Sequence, residues 1–261
     1  MKPIIYMKDL SNKTILVTGA SKGIGAAITQ NLAKAKANIV AHYFTDKTGM
    51  DEVLLSCGDA NIVTYQADFK KVDDLENLWN KSVKWRNGID VLINNAAIIR
   101  FEGGIDDTDE VWEKTWDETL AVNFMAPCNL MRKAVPHFRK KGGGIIITIS
   151  SWVAHRGPGF PSMIAYSASK AALMNATKTI ARHYAEENIL AYTVAPGVVK
   201  TRMSEDFARQ TIGEEAVTQS LVMKEWIPPS ELGDLVTYLS GGSCRHLTGA
   251  TLDVNGASYL R

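Results

Sequence analysis

Cysteine is scarce in this chain: three residues in 261, Cys57, Cys128 and Cys244, widely separated. An odd, scattered set makes neither a disulfide framework nor a zinc site, and it suits a reducing cytoplasm. Long apolar runs are missing as well. No stretch approaches the roughly 20 apolar residues needed to span a bilayer. The segment from Met1 to Leu10 has no apolar run of signal-peptide length. An excess of one charge is also absent: 29 basic residues against 28 acidic ones leave a formal net charge of +1. That balance argues against a dedicated surface for nucleic acid or an anionic membrane. No solenoid repeat or low-complexity linker interrupts the chain. The expectation is a soluble, cytoplasmic protein.

What is present is apolar content, 46% of residues, with 22% charged. A chain of this length buries roughly 70–75% of its extended surface, enough for one core without staples. Residues 1–261 therefore read as a single domain. Seven short β-rich runs recur: Thr14 to Val17, Asn38 to Tyr43, Ile62 to Gln66, Asp90 to Ile93, Ile145 to Ser150, Leu190 to Ala195 and Leu252 to Val254. Most are nearly continuous Ile, Val, Leu and Ala, the pattern of strands buried on both faces of a parallel sheet.

Helical patterns lie between them. After Gly23, Ile24, Ile28, Leu32 and Ala35 fall at helical spacing. Asp73 with Glu76 reads as a cap opening a helix through Trp85. Thr108 opens a long stretch to about Arg139, which Pro127 and Pro136 should bend or interrupt. Ser162 to Glu187 reads as one helix, and Ser230 as the cap of a shorter one, Glu231 to Leu239. Alternation of strand and helix predicts an α/β fold, a Rossmann-like doubly wound parallel sheet with helices on both faces. In such sheets the ligand lies at the carboxyl ends of the strands, near the reversal of strand order.

The first strand runs into Thr18-Gly19-Ala20-Ser21-Lys22-Gly23-Ile24-Gly25 and then a helix. Gly19 permits the tight turn, Gly23 leaves room for a pyrophosphate, and Gly25 allows close packing. Free amides at the helix start attract a diphosphate. Asp68-Phe69 ends the third run and Asn94-Asn95-Ala96-Ala97 the fourth. Both fall in the same crevice: Asp68 can accept from an adenine amino group, and the small residues let the backbone approach the adenosine ribose.

Ser150-Ser151 ends the fifth run, and Tyr166 and Lys170 share a face of the following helix. A tyrosine working as acid or base near neutrality needs its pKa lowered from about 10 to about 7, a cost of roughly 4 kcal/mol. One ammonium at ~4 Å with an effective dielectric of ~20 supplies about that much. Ser151 can donate to a substrate carbonyl as negative charge develops.

These motifs resemble the short-chain dehydrogenases/reductases nearly end to end, from Thr14 to the Val254-Asn255-Gly256 segment. The resemblance rests on the Thr18–Gly25 turn, Asp68, Asn94-Asn95-Ala96, Asn123, Ser151, Tyr166 with Lys170, and Pro196-Gly197 followed by Thr201. It implies Tyr166 as proton donor or acceptor. Lys170 lowers its pKa and binds the nicotinamide ribose, Ser151 orients the reacting oxygen, and Asn123 holds a relay water. Val199 and Thr201 hold the carboxamide. Gly19, Ser21, Lys22, Gly23, Ile24, Gly25, Tyr43, Asp68, Phe69, Asn95, Ala96, Pro196 and Gly197 complete the cofactor set. A small-molecule carbonyl or alcohol substrate and a homotetramer follow from the same resemblance, and no metal is required.

Two departures stand out. Ala97 replaces the family's usual glycine and must take its conformation. The gap from Ser151 to Tyr166 is two residues longer than usual, so Trp152 to Met163 should loop out, with Ser150 and Ser162 as weaker claimants to the serine role. No carboxylate sits at Tyr43, where NAD selection would place one, although Asp46 lies near. Lys22 puts a cation where a 2′-phosphate would sit. The reading favours NADP(H) over NAD(H).

Other candidates read as structural. His155 suits a surface loop, Asp106 to Glu110 a helix N-terminus, and Lys140 to Gly144 a helix end. Residues 201–226 form a lid candidate, with Met203, Phe207, Met223 and Trp226 facing substrate. The expected function is hydride transfer between a nicotinamide cofactor and a ketone, aldehyde or secondary alcohol. The alternatives are a non-catalytic dinucleotide sensor or scaffold, and an epimerase or dehydratase on the same fold.

Overall fold

The seven apolar runs become seven strands. The computed structural model describes residues 9–261; Met1 to Lys8 of the N-terminal segment lie outside the described residues. The strands are β1 (Thr14–Val17), β2 (Asn38–Tyr43), β3 (Ile62–Gln66), β4 (Val91–Asn94), β5 (Gly144–Ile149), β6 (Ile189–Pro196) and β7 (Thr251–Val254). Their order is β3-β2-β1-β4-β5-β6-β7, with every neighbouring pair parallel. The chain builds from β1 out to β3, then returns to place β4 on the other side of β1. That reversal opens a crevice at the carboxyl ends of β1 and β4.

Helices fill the connections: α1 (Gly23–Lys34), α2 (Lys47–Cys57), α3 (Val72–Lys84), α4 (Asp109–Leu120), α5 (Ala126–Lys141), α6 (Val153–Arg156), α7 (Ile164–Tyr184), α8 (Arg202–Gln210), α9 (Glu214–Ser220) and α10 (Pro229–Ser240). Alternate strand residues supply two cores. Ile15, Val17, Val91, Ile93 and Ile147 meet Ile28 and Leu32 of α1 and Leu232 and Val236 of α10. Leu16, Val40, Leu92 and Ile146 meet Leu78 of α3, Leu130 and Phe138 of α5 and Leu173 of α7. Each such side chain contributes about 1.5–3 kcal/mol by leaving water. Both faces of the sheet are covered, which is why its strands lack polar alternation.

Several element ends differ from the sequence reading. Lys71, in extended conformation, precedes α3 and no side chain caps it. Asp73 sits inside the first turn, where its charge meets the positive helix end. Ser230 lies within α10, which opens on Pro229, a residue suited to the first helical position. Thr108 does cap α4, accepting from the Val111 amide at 3.4 Å. The expected long helix is divided at a π turn, Ala121–Met125. Pro127 belongs to the first turn of α5, and Pro136 lies inside α5 without ending it. Short 3₁₀ turns, Pro161–Met163 and Ala185–Glu187, flank α7. Among the described residues no helix is long and apolar enough to cross a membrane.

Candidate active site

The glycine turn is built by close approach. Gly19 has φ +67°, and a Cβ there would come 2.9 Å from the Ala96 Cα. A Cβ on Gly25 would fall 1.9 Å from the Gly19 carbonyl oxygen, so this glycine closes the turn on itself rather than only seating the helix. Thr18 Oγ1 donates to the Ile93 carbonyl at 3.1 Å and accepts from the Asn95 and Ala96 amides at 2.9 and 3.1 Å. Asn95 Nδ2 donates to the carbonyls of Thr18 and Gly19 at 2.8 and 3.1 Å. The ends of β1 and β4 are thus fastened together at the reversal point. No side chain caps the start of α1, which leaves that end open to an anion.

The turn is one wall of a cleft of about 350 Å³. Gly19, Ser21, Lys22, Gly23, Ile24, Gly25, Asp68, Phe69, Asn95, Ala96, Ser151, Tyr166, Lys170, Pro196, Gly197, Val199 and Thr201 all line it. Tyr43 does not. It is buried in the core beneath, because the residues of β2 alternate between faces and this one points into the sheet's packing. Phe44, Thr45 and Asp46 take the place expected of it along the cleft.

Ser150 and Ser151 end β5 with different partners. Ser150 Oγ donates to the Lys170 carbonyl at 3.0 Å, so it is spent on α7. Ser151 Oγ accepts from the Val153 amide at 3.4 Å and lines the cleft together with Tyr166. Lys170 is buried, with 2% of its surface exposed. Its Nζ donates to the Ile149 carbonyl at 2.9 Å and stands 5.8 Å from the centroid of the Tyr166 ring.

The electrostatics correct the expected phenol near 7. Burial pushes the Tyr166 hydroxyl up to about 12, opposed by the Ser151 hydroxyl. Burial brings the Lys170 amine down to about 8. Desolvation disfavours the charged form of each group, and here it dominates.

Asn123 lies in the π turn between α4 and α5, fully buried. Its Oδ1 accepts from the Ile98 amide at 2.8 Å. Its Nδ2 donates to the Ile98 carbonyl at 2.9 Å and to Ser169 Oγ at 3.2 Å. Both amide hydrogens are engaged. Asn123 ties the cleft wall at Ile98 to the helix that carries Tyr166.

Of the lid candidates only Met203 reaches the cleft. Phe207 stacks on Phe101 and meets Phe160 edge-on, with centroids 6.0 and 5.1 Å apart. These rings join α8 to the segments that follow β4 and α6. Trp226 Nε1 donates to Thr218 Oγ1 at 2.8 Å, away from the cleft, and Met223 packs at Gly256. His155 lies against Asp253 and Tyr259, also outside it.

The family model of short chain dehydrogenases matches residues 13–211. The chain belongs to the short-chain dehydrogenase/reductase family. It is 34% identical to human dehydrogenase/reductase SDR family member 4 over 97% of this chain and 89% of that protein. It superposes with a TM-score of 0.85 on LugOII, a promiscuous reductase catalysing keto-reduction at C1 in lugdunomycin biosynthesis. That match has 30% identity and covers 97% of this chain and 100% of the other. Against the angucycline C-6 ketoreductase LanV with bound NADP the TM-score is 0.84, with 28% identity, covering 95% and 96%.

Both departures from the family pattern are accommodated locally. Ala97 is not in the left-handed region, so the missing glycine causes no strain. The longer segment after Ser151 is not a plain loop: α6 takes up Val153–Arg156, and Gly157 at φ +70° turns the chain out of it. Sequence reasoning missed His42, Phe44, Lys70, Ile98, Arg100 and Val122 along the cleft. A histidine next to the end of an otherwise apolar strand was the available signal for the first. The others follow strand ends or lie in helices and announce themselves only in three dimensions. Among the described residues no group of three or more His, Cys, Asp or Glu is placed to hold a metal.

Proposed function

We propose that the protein is a carbonyl–alcohol oxidoreductase that prefers NADP(H) and uses Tyr166 to carry the proton. The observation behind this reading is that Ser151, Tyr166 and Lys170 line the same cleft as the glycine turn. The turn fits a dinucleotide: glycines stand where side chains would fill the cradle, and the start of α1 is uncapped. Gly19 to Gly25 would hold the diphosphate, with Lys22 beside it. Asp68 and Phe69 would hold the adenine, and Asn95 and Ala96 the ribose. Pro196, Gly197, Val199 and Thr201 would hold the nicotinamide end. A nicotinamide bound there supplies or accepts the hydride.

The rest falls to the chain. At neutral pH the Tyr166 phenol is protonated, the form that donates to an alkoxide as a carbonyl is reduced. Ser151 holds the reacting oxygen beside it. Lys170, about nine-tenths protonated at pH 7 if its pKa is about 8, stabilises the phenolate left behind and would hold the nicotinamide ribose. Asn123 fixes the wall at Ile98.

The NADP(H) preference rests on Lys22. Its side chain is 62% exposed along the cleft and pairs with Asp46 at 3.9 Å. Asp46 is partly spent, capping α2 by accepting from the Gly49 amide at 2.9 Å. A homotetramer in the cytoplasm is part of the same reading, the latter supported by three free cysteines; sedimentation and cell fractionation check them.

The test is turnover of NADPH with a broad panel of ketones and aldehydes. Dinucleotide binding with no turnover on any of them favours the sensor reading instead.

A further inference from the structure

The peptide at Gly19 is held from both sides. Asn95 Nδ2 donates to its carbonyl at 3.1 Å. Its amide donates to His42 Nδ1 at 3.2 Å. His42 comes from β2, across the sheet from the site of proton transfer. Its other nitrogen, Nε2, lies 3.0 Å from the Ala67 carbonyl, and its backbone carbonyl accepts from the Ala20 amide at 2.7 Å. The ring is stacked on Phe69, with centroids 4.2 Å apart and planes 4° from parallel. It is buried, with 2% exposed, and lines the cleft.

These bonds assign the tautomer. A carbonyl oxygen only accepts, so Nε2 carries the hydrogen; an amide only donates, so Nδ1 carries the lone pair. A protonated ring would bring a second N–H against the Gly19 amide and break the bond. No aliphatic side chain at this position could answer that amide, which is part-buried at the cleft wall and would lose this partner.

We propose that His42 is a positioning residue for the dinucleotide: its neutral imidazole, by accepting from the Gly19 amide, holds the glycine turn in the shape that receives the diphosphate. This rests on the dinucleotide reading of the cleft. His42 touches no reacting atom; it acts through Gly19.

Two substitutions separate the bond from the bulk. His42→Asn keeps an acceptor near the place of Nδ1. His42→Gln keeps a donor toward Ala67 but puts no acceptor at Gly19. The full-length chains are compared in three ways. Amide exchange at Gly19 is followed by NMR without dinucleotide, the NADPH Kd is measured by titration calorimetry, and kcat and KM are measured for NADPH.

Gly19 is expected to exchange slowly in wild type and His42→Asn, and at least about tenfold faster in His42→Gln. The NADPH Kd rises about tenfold in His42→Gln and stays within about threefold in His42→Asn, and the loss falls in KM rather than kcat. If His42→Gln protects Gly19 or binds NADPH as wild type does, the proposal is overturned. If His42→Gln does not fold, His42→Asn decides: Gly19 protected but NADPH binding lost overturns it, both retained supports it. A wild type that binds neither NADPH nor NADH overturns the reading of the cleft itself, a result distinct from equal binding by wild type and variant.

Discussion

Lys170 turns its ammonium toward the Ile149 carbonyl at 2.9 Å and stands 5.8 Å from the centre of the Tyr166 ring. Its amine is brought down to about 8 by burial. If the charged form stabilises the developing phenolate, kcat/KM for reduction falls as pH rises past about 8. Lys170→Met is expected to lose that limb and to run at least about tenfold slower. A pH profile of both chains checks this; an unchanged limb in the variant removes Lys170 from the proton step. The sign for stability is opposite to that for rate. The folded pKa lies below the unfolded one, so the unfolded chain holds more protons between about pH 8 and 10.5. Stability therefore rises through that window, by up to about 3 kcal/mol. Lys170→Met is expected to be the more stable chain at pH 7.

Tyr166→Phe removes only the hydroxyl. Turnover is expected to fall at least about a hundredfold, with the NADPH Kd within about threefold of wild type. Initial rates and calorimetry measure the two. A variant that retains more than about a tenth of the activity removes Tyr166 as the essential acid. Ser151→Ala, which removes the hydroxyl that lowers the Tyr166 pKa, is expected to lower kcat in the same direction.

Lys22 and Asp46 stand 3.9 Å apart along the cleft, at the end that the proposed reading gives to the adenosine. Lys22→Ala is expected to raise the KM for NADPH about tenfold, the scale of a lost charge-assisted contact, and to leave NADH within about twofold. Equal losses for the two cofactors overturn the preference. Asp46→Asn, which removes the neighbouring negative charge, is expected to shift selectivity further toward NADPH.

Burial lowers the His42 imidazole to about 4, with only the Ala67 carbonyl opposing. Folded and unfolded chains are both neutral here above about pH 6.5. As pH falls from there toward 4, the unfolded chain takes the proton first and stability is lost. At pH 4.5 the loss from this group is about 2–3 kcal/mol relative to pH 7. Denaturant melts at the two pH values check it, and His42→Gln is expected to show a smaller difference by that amount.

Gly25→Ala would set a methyl 1.9 Å from the Gly19 oxygen, with Asn95 Nδ2 at 2.6 Å. The backbone of the turn has to move. A stability loss of about 1–3 kcal/mol and loss of NADPH binding are expected, read by denaturant melts and calorimetry. Wild-type affinity in this variant means that the turn is not the diphosphate cradle.

Much of the architecture is written in local pattern. The runs at Thr14–Val17, Asn38–Tyr43 and Ile62–Gln66 became strands with the same ends. Buried parallel strands carry continuous apolar residues whatever lies around them. Helix starts were less legible. Asp73 and Ser230 have capping chemistry, but backbone geometry one or two residues earlier decided where α3 and α10 begin. The division at Asn123 was not legible at all, since a π turn has no composition of its own.

The site divides along the same line. Chain order alone determined that a glycine turn, a serine at a strand end and a tyrosine with a lysine one helical turn on would come to the carboxyl edge of a parallel sheet. Those are consequences of short-range geometry and of the right-handed crossover. What only the folded molecule decided is the environment of each group. Tyr43 went to the core while Phe44 and Asp46 took the cleft, Lys170 found the Ile149 carbonyl, and His42 found the Gly19 amide. Burial and hydrogen-bond partners are set by residues distant in the chain, and burial is the first cause of the raised Tyr166 and lowered Lys170 pKa values.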